Sequence, residues 1–200
     1  MPVLVRPSAK LPSIPYVRMF KERDFKGLSL VVDGTNVAKD LRYHDPSFND
    51  KLTSFYILRG YWEFFEHIDY GGYVWRYPVG LYRHAADIPV TPMPDGVISS
   101  VRYQNDEVPA APHIMLFTLD NYTGTAEEHK TDKLLLQHHD AIRSIIVLNG
   151  VWRLFLDANH SAGDAAAVDV GPGFYTYNTP EESALKVLMA RGISSIKIVG

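Results

Sequence analysis

The sequence predicts an all-β protein made of two domains. Three observations predict it: a hairpin signature that recurs four times, a strand beginning with serine after each hairpin, and a polar, proline-bearing stretch between the halves. The chain has 200 residues, of which 46% are hydrophobic and 22% charged, so it can bury a core without covalent staples. Length alone allows one domain or two, and the repeats favour two.

The hairpin signature is an aromatic residue, four spacers, a second aromatic residue, one spacer and a glycine. It occurs at 20–27, 65–72 and 117–124, and in a degenerate form with His and Ala at 155–162. Two rings can cover the edge of a β core, while the glycine adopts a positive φ that other residues resist. Three clean copies therefore predict hairpins of one architecture.

A strand that opens with serine follows each hairpin. The four serines are Ser54, Ser100, Ser144 and Ser195. We expect each hydroxyl to hydrogen-bond the backbone of the folded hairpin. The halves also match at longer range, because 58–65 parallels 148–155 and each segment has a tryptophan at its fifth position. The motif order is therefore ABAB.

The composition along the chain sets the expected boundaries. Residues 1–15 carry four prolines and match no motif, so we expect an N-terminal arm there. The first domain is expected over 16–104, an extended linker over 105–112 and the second domain over 113–200. One short helix is expected over 181–189, which has the only helical composition.

These motifs resemble those of the βγ-crystallins over about residues 16 to 200. The resemblance implies two βγ-crystallin domains, each a sandwich of two four-stranded antiparallel Greek-key sheets with strands exchanged between its two motifs. A β-trefoil is the nearest all-β alternative, but it would show three repeats per domain. The sequence shows two plus two.

The six residues ending at each serine hold the chemistry that the resemblance implies. Calcium-binding members of the family have Asn or Asp at the first two positions, two variable residues, Ser or Thr, and then Ser. The stretch at 49–54 matches in full, whereas 95–100 lacks the second Asn or Asp. The stretch at 139–144 has Arg at the fifth position, and 190–195 has Arg at the second. In each half, therefore, one stretch keeps the Asp at position two and the other keeps the Ser at position five.

In this family a site takes the position-two side chain from one motif, and the position-three carbonyl and position-five hydroxyl from the partner motif. The intact sets that the resemblance implies are Asp50 with the Val97 carbonyl and Ser99, and Asp140 with the Gly192 carbonyl and Ser194. Hairpin carbonyls, at Lys21 and Glu66 in the first half, are implied as further ligands. Hard oxygen ligands suit Ca²⁺, and one carboxylate per site implies an affinity on the order of 10⁻⁶ to 10⁻⁴ M.

The reciprocal sites are damaged. In the first half the resemblance pairs the Lys51 carbonyl and Thr53 with Gly96, which has no carboxylate. In the second half it combines Arg143 with Arg191, two cations where a cation should bind. We expect the second of these to bind nothing.

Other functional classes find less support. The net charge of -3 and the pI near 6.2 argue against nucleic acid and anionic membranes, and the absence of cysteine excludes thiolate sites and a cysteine nucleophile. No Ser-His-Asp order or phosphate loop occurs, so no enzyme is expected. His113, His129, His138 and His139 are expected to be solvent-exposed, because they lack the spacing of known zinc sites.

The expected function is thus that of a stable, non-enzymatic protein that binds Ca²⁺. Two alternatives stay open: a purely structural lens-like or stress-related protein with vestigial cation sites, and an interaction or pore-forming subunit. Domain pairing or a homodimer is expected as the mode of association. The start of the chain has no signal-peptide pattern, which favours a cytoplasmic location.

Overall fold

The protein consists of two compact units. The computed structural model describes residues 2–89, 91–161, 167–177 and 183–200. The first unit is Pro12–Val108, and the second combines Met1–Leu11 with Pro109–Gly200. Nearly all regular structure in the described ranges is β, as the sequence predicted.

The first unit contains two antiparallel sheets. Strand β1 (Val3–Val5) belongs to the second unit, and the strands of the first are β2 (Tyr16–Glu22), β3 (Lys26–Asp33), β4 (Ser54–Arg59), β5 (Tyr61–Phe65), β6 (Val74–Tyr77), β7 (Gly80–Tyr82) and β8 (Ser100–Asn105). The sheet orders are β3-β2-β4-β7 and β6-β5-β8. Ala38 extends the second sheet as an isolated bridge to Val101. Each motif therefore lends backbone to the sheet of the other, which is the strand exchange expected of interlocked Greek keys.

The second unit repeats this arrangement. Its further strands are β9 (His113–Leu119), β10 (Thr123–His129), β11 (Ser144–Asn149), β12 (Trp152–Phe155), β13 (Val168–Val170), β14 (Gly173–Thr176) and β15 (Ser195–Ile198). The sheet orders are β10-β9-β11-β14 and β1-β13-β12-β15. Lys133 bridges Ile196 in the place that Ala38 takes in the first unit. The sequence repeat is thus a repeat of topology.

The start of the chain is part of the second unit. The sequence placed residues 1–15 in an arm outside both domains, but β1 pairs in parallel with β13, and Leu4 faces Asp169. Residues 1–11 belong to the second unit, and the first unit begins at Pro12. Strand pairing across the length of the chain has no local signal in the sequence.

Each hairpin is held by the serine that follows it. Ser54 Oγ accepts a hydrogen bond from the N–H of Phe25 at 3.0 Å and donates one to the Glu22 carbonyl at 2.5 Å. The other three serines make the same pair of bonds with their own hairpins. All four are fully buried. The predicted serine contact is confirmed at every repeat.

The degenerate fourth hairpin keeps the geometry of the others. The N–H of His160 donates to Ser195 Oγ at 3.2 Å, and its ring centroid lies 5.0 Å from that of Phe155. The backbone at His160 has a positive φ of 55°, as Phe25 does at 57°. A flat imidazole therefore replaces the second aromatic ring. Ala162, the residue in place of the glycine, lies outside the described residues.

Each unit has its own core, centred on a tryptophan. Trp62 and Trp152 are fully buried. Their indole N–H groups donate to the carbonyls of Arg59 at 2.9 Å and Asn149 at 3.1 Å, so neither buried indole donor is left unsatisfied.

A buried carboxylate joins the strands of the second sheet in the first unit. Glu63 on β5 faces Arg76 on β6 and Arg102 on β8, and each arginine Nε lies 2.8 Å from one of its oxygens. Burial opposes ionisation of Glu63, but the two guanidinium groups outweigh it and lower the pKa of the carboxyl. In the second unit the charges are reversed, because Arg153 on the central strand β12 pairs with Asp169 on β13.

The one α-helix in the described residues lies between β14 and β15. It runs over Ser183–Arg191, so the helix expected over 181–189 is confirmed, although it ends two residues later. Residues 181 and 182 lie outside the described ranges. Gly192 follows the helix with a φ of 99°, and its N–H donates to the Leu188 carbonyl at 2.9 Å, which closes the helix. No helix in these ranges is long and apolar enough to cross a membrane.

Replacing the Ser54 hydroxyl tests whether the hairpin contact stabilises the fold. We expect Ser54→Ala to lower the free energy of unfolding of the first unit by about 2 kcal/mol, because two backbone groups lose their partner in the interior. Urea unfolding gives this value. The control is Ser13→Ala at an exposed position, with an expected change below about 0.5 kcal/mol. Equal stabilities of the two variants would contradict the prediction.

Candidate calcium sites

The loops that lead into β4 and β8 lie side by side. The N–H of Asp50 donates to the Ile98 carbonyl at 3.1 Å, and the N–H of Gly96 donates to the Leu52 carbonyl at 3.3 Å. These bonds join position two of each six-residue stretch to position four of the other. Both position-two residues have a positive φ, 53° at Asp50 and 69° at Gly96. The two motifs are thus interlocked by a local twofold arrangement.

This arrangement brings Asp50 to Ser99. Ser99 Oγ donates to Asp50 Oδ1 at 3.2 Å, and the side-chain amide of Asn49 donates to Asp50 Oδ2 at 2.6 Å. Ser99 is 8% exposed, whereas Asp50 is exposed. The carboxylate is therefore oriented by donors on both of its oxygens and remains open to solvent. The sequence predicted the contact with Ser99 but not the one with Asn49.

The hairpin edges are fixed by the position-five residues. The N–H of Ser99 donates to the Phe65 carbonyl at 3.0 Å, which places the following residue, Glu66, beside the Asp50 set. In the same way the N–H of Thr53 binds the carbonyl of the residue before Lys21 at 2.9 Å. The hairpin of Glu66 thus adjoins Ser99, and the hairpin of Lys21 adjoins Thr53.

The reciprocal position in the first unit has no room for a carboxylate. A Cβ at Gly96 would lie 2.9 Å from the Asp50 carbonyl oxygen, so a side chain fits there only if this backbone shifts. The partner oxygens that the resemblance implies for this position are the Lys51 carbonyl and the Thr53 hydroxyl. The ammonium of Lys21 binds Ser47 Oγ at 2.6 Å.

The second unit repeats the intact set. Ser194 Oγ donates to Asp140 Oδ1 at 3.3 Å, and His139 Nδ1 lies 3.0 Å from Asp140 Oδ2. The N–H of Asp140 donates to the Ile193 carbonyl at 3.3 Å. A Cβ at Gly192 would lie 2.1 Å from Asp140 Oδ1, so only glycine lets the carboxylate lie against this backbone. His139 takes the place that Asn49 takes in the first unit.

One further carbonyl of the second unit, that of Leu156, was not predicted from the sequence. The N–H of Ser194 donates to the Phe155 carbonyl at 2.9 Å, which makes Leu156 the counterpart of Glu66. The signal was available, because each of these residues directly follows the first aromatic residue of its hairpin. The Leu156 carbonyl is therefore the equivalent position in the second unit.

The position-five arginine of the second unit is used elsewhere. The Arg143 guanidinium carbon lies 4.1 Å from the centroid of the Tyr177 ring, and the Arg143 carbonyl accepts a hydrogen bond from the Tyr177 N–H at 3.0 Å. Arg191 ends the helix. An arginine on an aromatic face thus stands where the reciprocal site would have a hydroxyl ligand.

The histidines do not form a metal centre. Within the described ranges, no three His, Asp or Glu side chains are grouped as a metal site would need. The expectation that these histidines are solvent-exposed is wrong for His113, which is 2% exposed with its Nε2 3.3 Å from Glu128. It also fails for His129, whose Nε2 lies 2.8 Å from Glu127. Glu128, on the neighbouring strand β10, faces His113, whereas Glu127 lies two residues before His129 on β10 itself.

Topology and the interlocked loops together define the class of the protein: a two-domain, all-β protein with four Greek-key motifs. A sequence profile described as Beta/Gamma crystallin matches residues 16–103, which covers most of the first unit. The second unit has the same sheet order. The first unit therefore belongs to the βγ-crystallin superfamily, and the second unit repeats its topology.

Several solved structures similar to the chain are described as βγ-crystallins. A βγ-crystallin from an archaeon is 28% identical and aligns with 44% of this chain and 96% of its own, with a TM-score of 0.37. Geodin from Geodia cydonium is 14% identical and aligns with 94% of this chain and 100% of its own, with a TM-score of 0.38. Protein S complexed with calcium is 15% identical and aligns with 92% of this chain and 99% of its own, with a TM-score of 0.40. The search of curated proteins found no match.

A histidine holds the loop that contains Val97 and Ser99. His84, whose side chain is 7% exposed, has Nε2 2.8 Å from Asp95 Oδ2 and Nδ1 2.8 Å from Asp87 Oδ2. Burial lowers the pKa of His84, but the hydrogen bonds to Asp95 and Asp87 outweigh it and the net pKa is raised. The His84 imidazole thus ties Asp95, the first residue of the 95–100 stretch, to the chain that follows β7.

The raised pKa of His84 predicts that stability depends on pH. A raised folded-state pKa contributes stability that is fully present below the unfolded value of 6.5 and is lost as pH rises through the folded pKa. We expect the unfolding free energy of the wild type, relative to His84→Gln, to fall as pH rises above 6.5. Urea unfolding of both proteins across this range measures the difference. A difference that does not change with pH would contradict the role of His84.

Proposed function

We propose that the protein is a non-enzymatic structural protein that binds Ca²⁺ with weak to moderate affinity at one inter-motif site in each unit. The observation that carries this proposal is the contact between an aspartate of one motif and a hydroxyl of its partner. It measures 3.2 Å from Asp50 to Ser99 and recurs at 3.3 Å from Asp140 to Ser194. Two independent copies of the same contact favour a retained site over a chance pairing.

The donor chemistry supports Ca²⁺ as the ion. In the first unit the available groups are the Asp50 carboxylate, the Ser99 hydroxyl, and the carbonyls of Val97 and Glu66. All are hard oxygens, which Ca²⁺ prefers to the nitrogen and sulfur ligands of transition metals. Oxygens that share a Ca²⁺ ion at about 2.3 to 2.6 Å lie roughly 3 Å apart, close to the spacing of the carboxylate and hydroxyl.

Several features limit the affinity. Each set offers a single carboxylate, whereas high-affinity sites have several, so we expect dissociation constants on the order of 10⁻⁶ to 10⁻⁴ M. Asn49 and His139 already bind one oxygen of that carboxylate in their units. When bound, the ion supplies charge neutralisation and a link between the two motifs. Asn49 and His139 orient the carboxylates that bind it.

The expected consequence of binding is stabilisation. An ion that binds only the folded state stabilises it by mass action, by about 2.7 kcal/mol at a hundredfold excess over the dissociation constant. The competing interpretation, a purely structural protein with vestigial cation sites, predicts no such effect. Calorimetric titration with calcium separates the two. The absence of catalysis and the cytoplasmic location stay predictions.

The first calcium prediction concerns Asp50. We expect Asp50→Asn to abolish the calcium binding of the first unit, because the only carboxylate of the set is lost, and to remove its share of the melting shift in millimolar calcium. Isothermal titration calorimetry and thermal unfolding measure both. Asp45→Asn is the matched control, because it removes the same charge from the same loop, where the Asp45 carboxylate accepts hydrogen bonds from Ser47. A wild-type calcium isotherm in Asp50→Asn would refute the assignment.

A second prediction tests the close packing of glycine in the other unit. We expect Gly192→Ala to weaken calcium binding at Asp140 at least tenfold, because the added Cβ would occupy the place of the carboxylate oxygen. Titration in an Asp50→Asn background isolates this site. Gly171→Ala is the control, since a Cβ at Gly171 meets no atom within 4 Å. Equal affinities in the two variants would show that Asp140 is not the ligand.

A further inference from the structure

The beginning of the chain fills a groove in the second unit. We call residues 2–11 the arm. Its strand β1 lies parallel to the edge of β13, and Val5 is 7% exposed as part of the hydrophobic core of that unit. Leu4, opposite Asp169, is 64% exposed. The arm thus contributes backbone pairing and one core side chain.

The arm continues onto the other sheet of the same unit. The N–H of Ser8 donates to the Phe174 carbonyl at 2.7 Å, and the N–H of Phe174 donates to the Ala9 carbonyl at 3.0 Å. Pro7 lies against Gly173, where a Cβ would come within 2.3 Å of the proline Cβ. The acceptor groove, formed by the edges of β13 and β14, therefore selects an extended segment with an apolar residue at Val5 and a proline two residues later.

The connectivity lets the arm detach without loss of any other strand. β1 is an end strand whose one neighbour in its sheet is β13. The arm ends at Leu11, and from Pro12 the chain belongs to the first unit until it returns at Pro109. Pro12 and Pro15 have no backbone N–H, which keeps the connection out of helix and sheet pairing. An end segment on a connection of this kind can be exchanged between identical chains.

We propose that the acceptor groove also binds the arm of a second copy, so that two molecules exchange arms. The occupant is this chain, because the groove complements this segment at Val5, Pro7 and the two backbone bonds of Phe174. Exchange creates no new contact, so the arm of the same chain competes through its high effective concentration. The exchanged dimer should therefore form as protein concentration approaches about 1 mM. This proposal does not depend on calcium binding.

Single cysteines provide a direct test, because the chain has none of its own. Leu4 and Asp169 are register partners on neighbouring strands, so their side chains lie on one face of the sheet. Leu4→Cys and Asp169→Cys are made in separate full-length chains, mixed at increasing concentration and oxidised. We expect a disulfide-linked heterodimer of twice the 22.6 kDa chain mass, with a yield that rises with concentration.

The matched control is Leu4→Cys mixed with Lys197→Cys. Lys197 pairs with Arg153, and the sheet order places its strand two positions beyond β13, away from β1. It is exposed, so random collisions should link it at least as readily as Asp169. We expect the Asp169→Cys mixture to give at least a fivefold higher yield. Equal yields in the two mixtures would overturn the proposal.

A second variant tests the core contact of the arm while the Asp169→Cys chain, which lacks the ion pair with Arg153, stays the same. Val5→Asp in the Leu4→Cys chain places a charge in the core position of the arm, and we expect the yield to fall to the control level. A double variant with both cysteines in one chain should close internally at low concentration, which establishes the register. If that bond forms while the mixed single variants give no heterodimer at about 1 mM, arm exchange is excluded.

Discussion

The structure depends on a buried serine hydroxyl that ties each hairpin to the strand after it. The hydroxyl binds two backbone groups of the hairpin, and the N–H of the residue before the serine binds the carbonyl of the first aromatic residue, at 2.8 to 3.0 Å in all four motifs. Two adjacent residues thus fix the hairpin over the sheet and aim position five towards the partner motif. The same constraint that closes the fold positions the candidate ligands.

Interlocking of the motifs explains why each unit retains one candidate site. In the first unit both loops pair symmetrically, yet the glycine at position 96 leaves no place for a second carboxylate. In the second unit the helix ends at Arg191, inside the 190–195 stretch, and Arg143 of the other stretch packs on Tyr177. The loops need their backbone contacts for folding, whereas the ligands are side chains and carbonyls that can change independently. Loss of a site therefore leaves the architecture intact.

The sequence predicted most of the fold because its signals are local. Hairpins, serines and tryptophans recur at fixed spacing, and each has a physical requirement that only a few residue types meet. The pairing of Asp50 with Ser99 came from the resemblance to calcium-binding βγ-crystallins, and the structure places these side chains 3.2 Å apart. Burial of His113 was missed because its partner Glu128 becomes a neighbour only after β9 and β10 pair, whereas the partner of His129, Glu127, is two residues away in the sequence.

The sequence by itself determined the number of motifs, their order, and which aspartate of each half stands in a calcium-type stretch. Tertiary structure alone decided the place of the arm, because β1 and β13 are separated by nearly the whole chain and their pairing is specified by a free strand edge and a core vacancy. It also decided the contact of Gly192 with Asp140, which depends on where two distant backbones cross. Local sequence patterns specify local backbone conformations, whereas contacts between segments far apart in the sequence form only when the chain has packed.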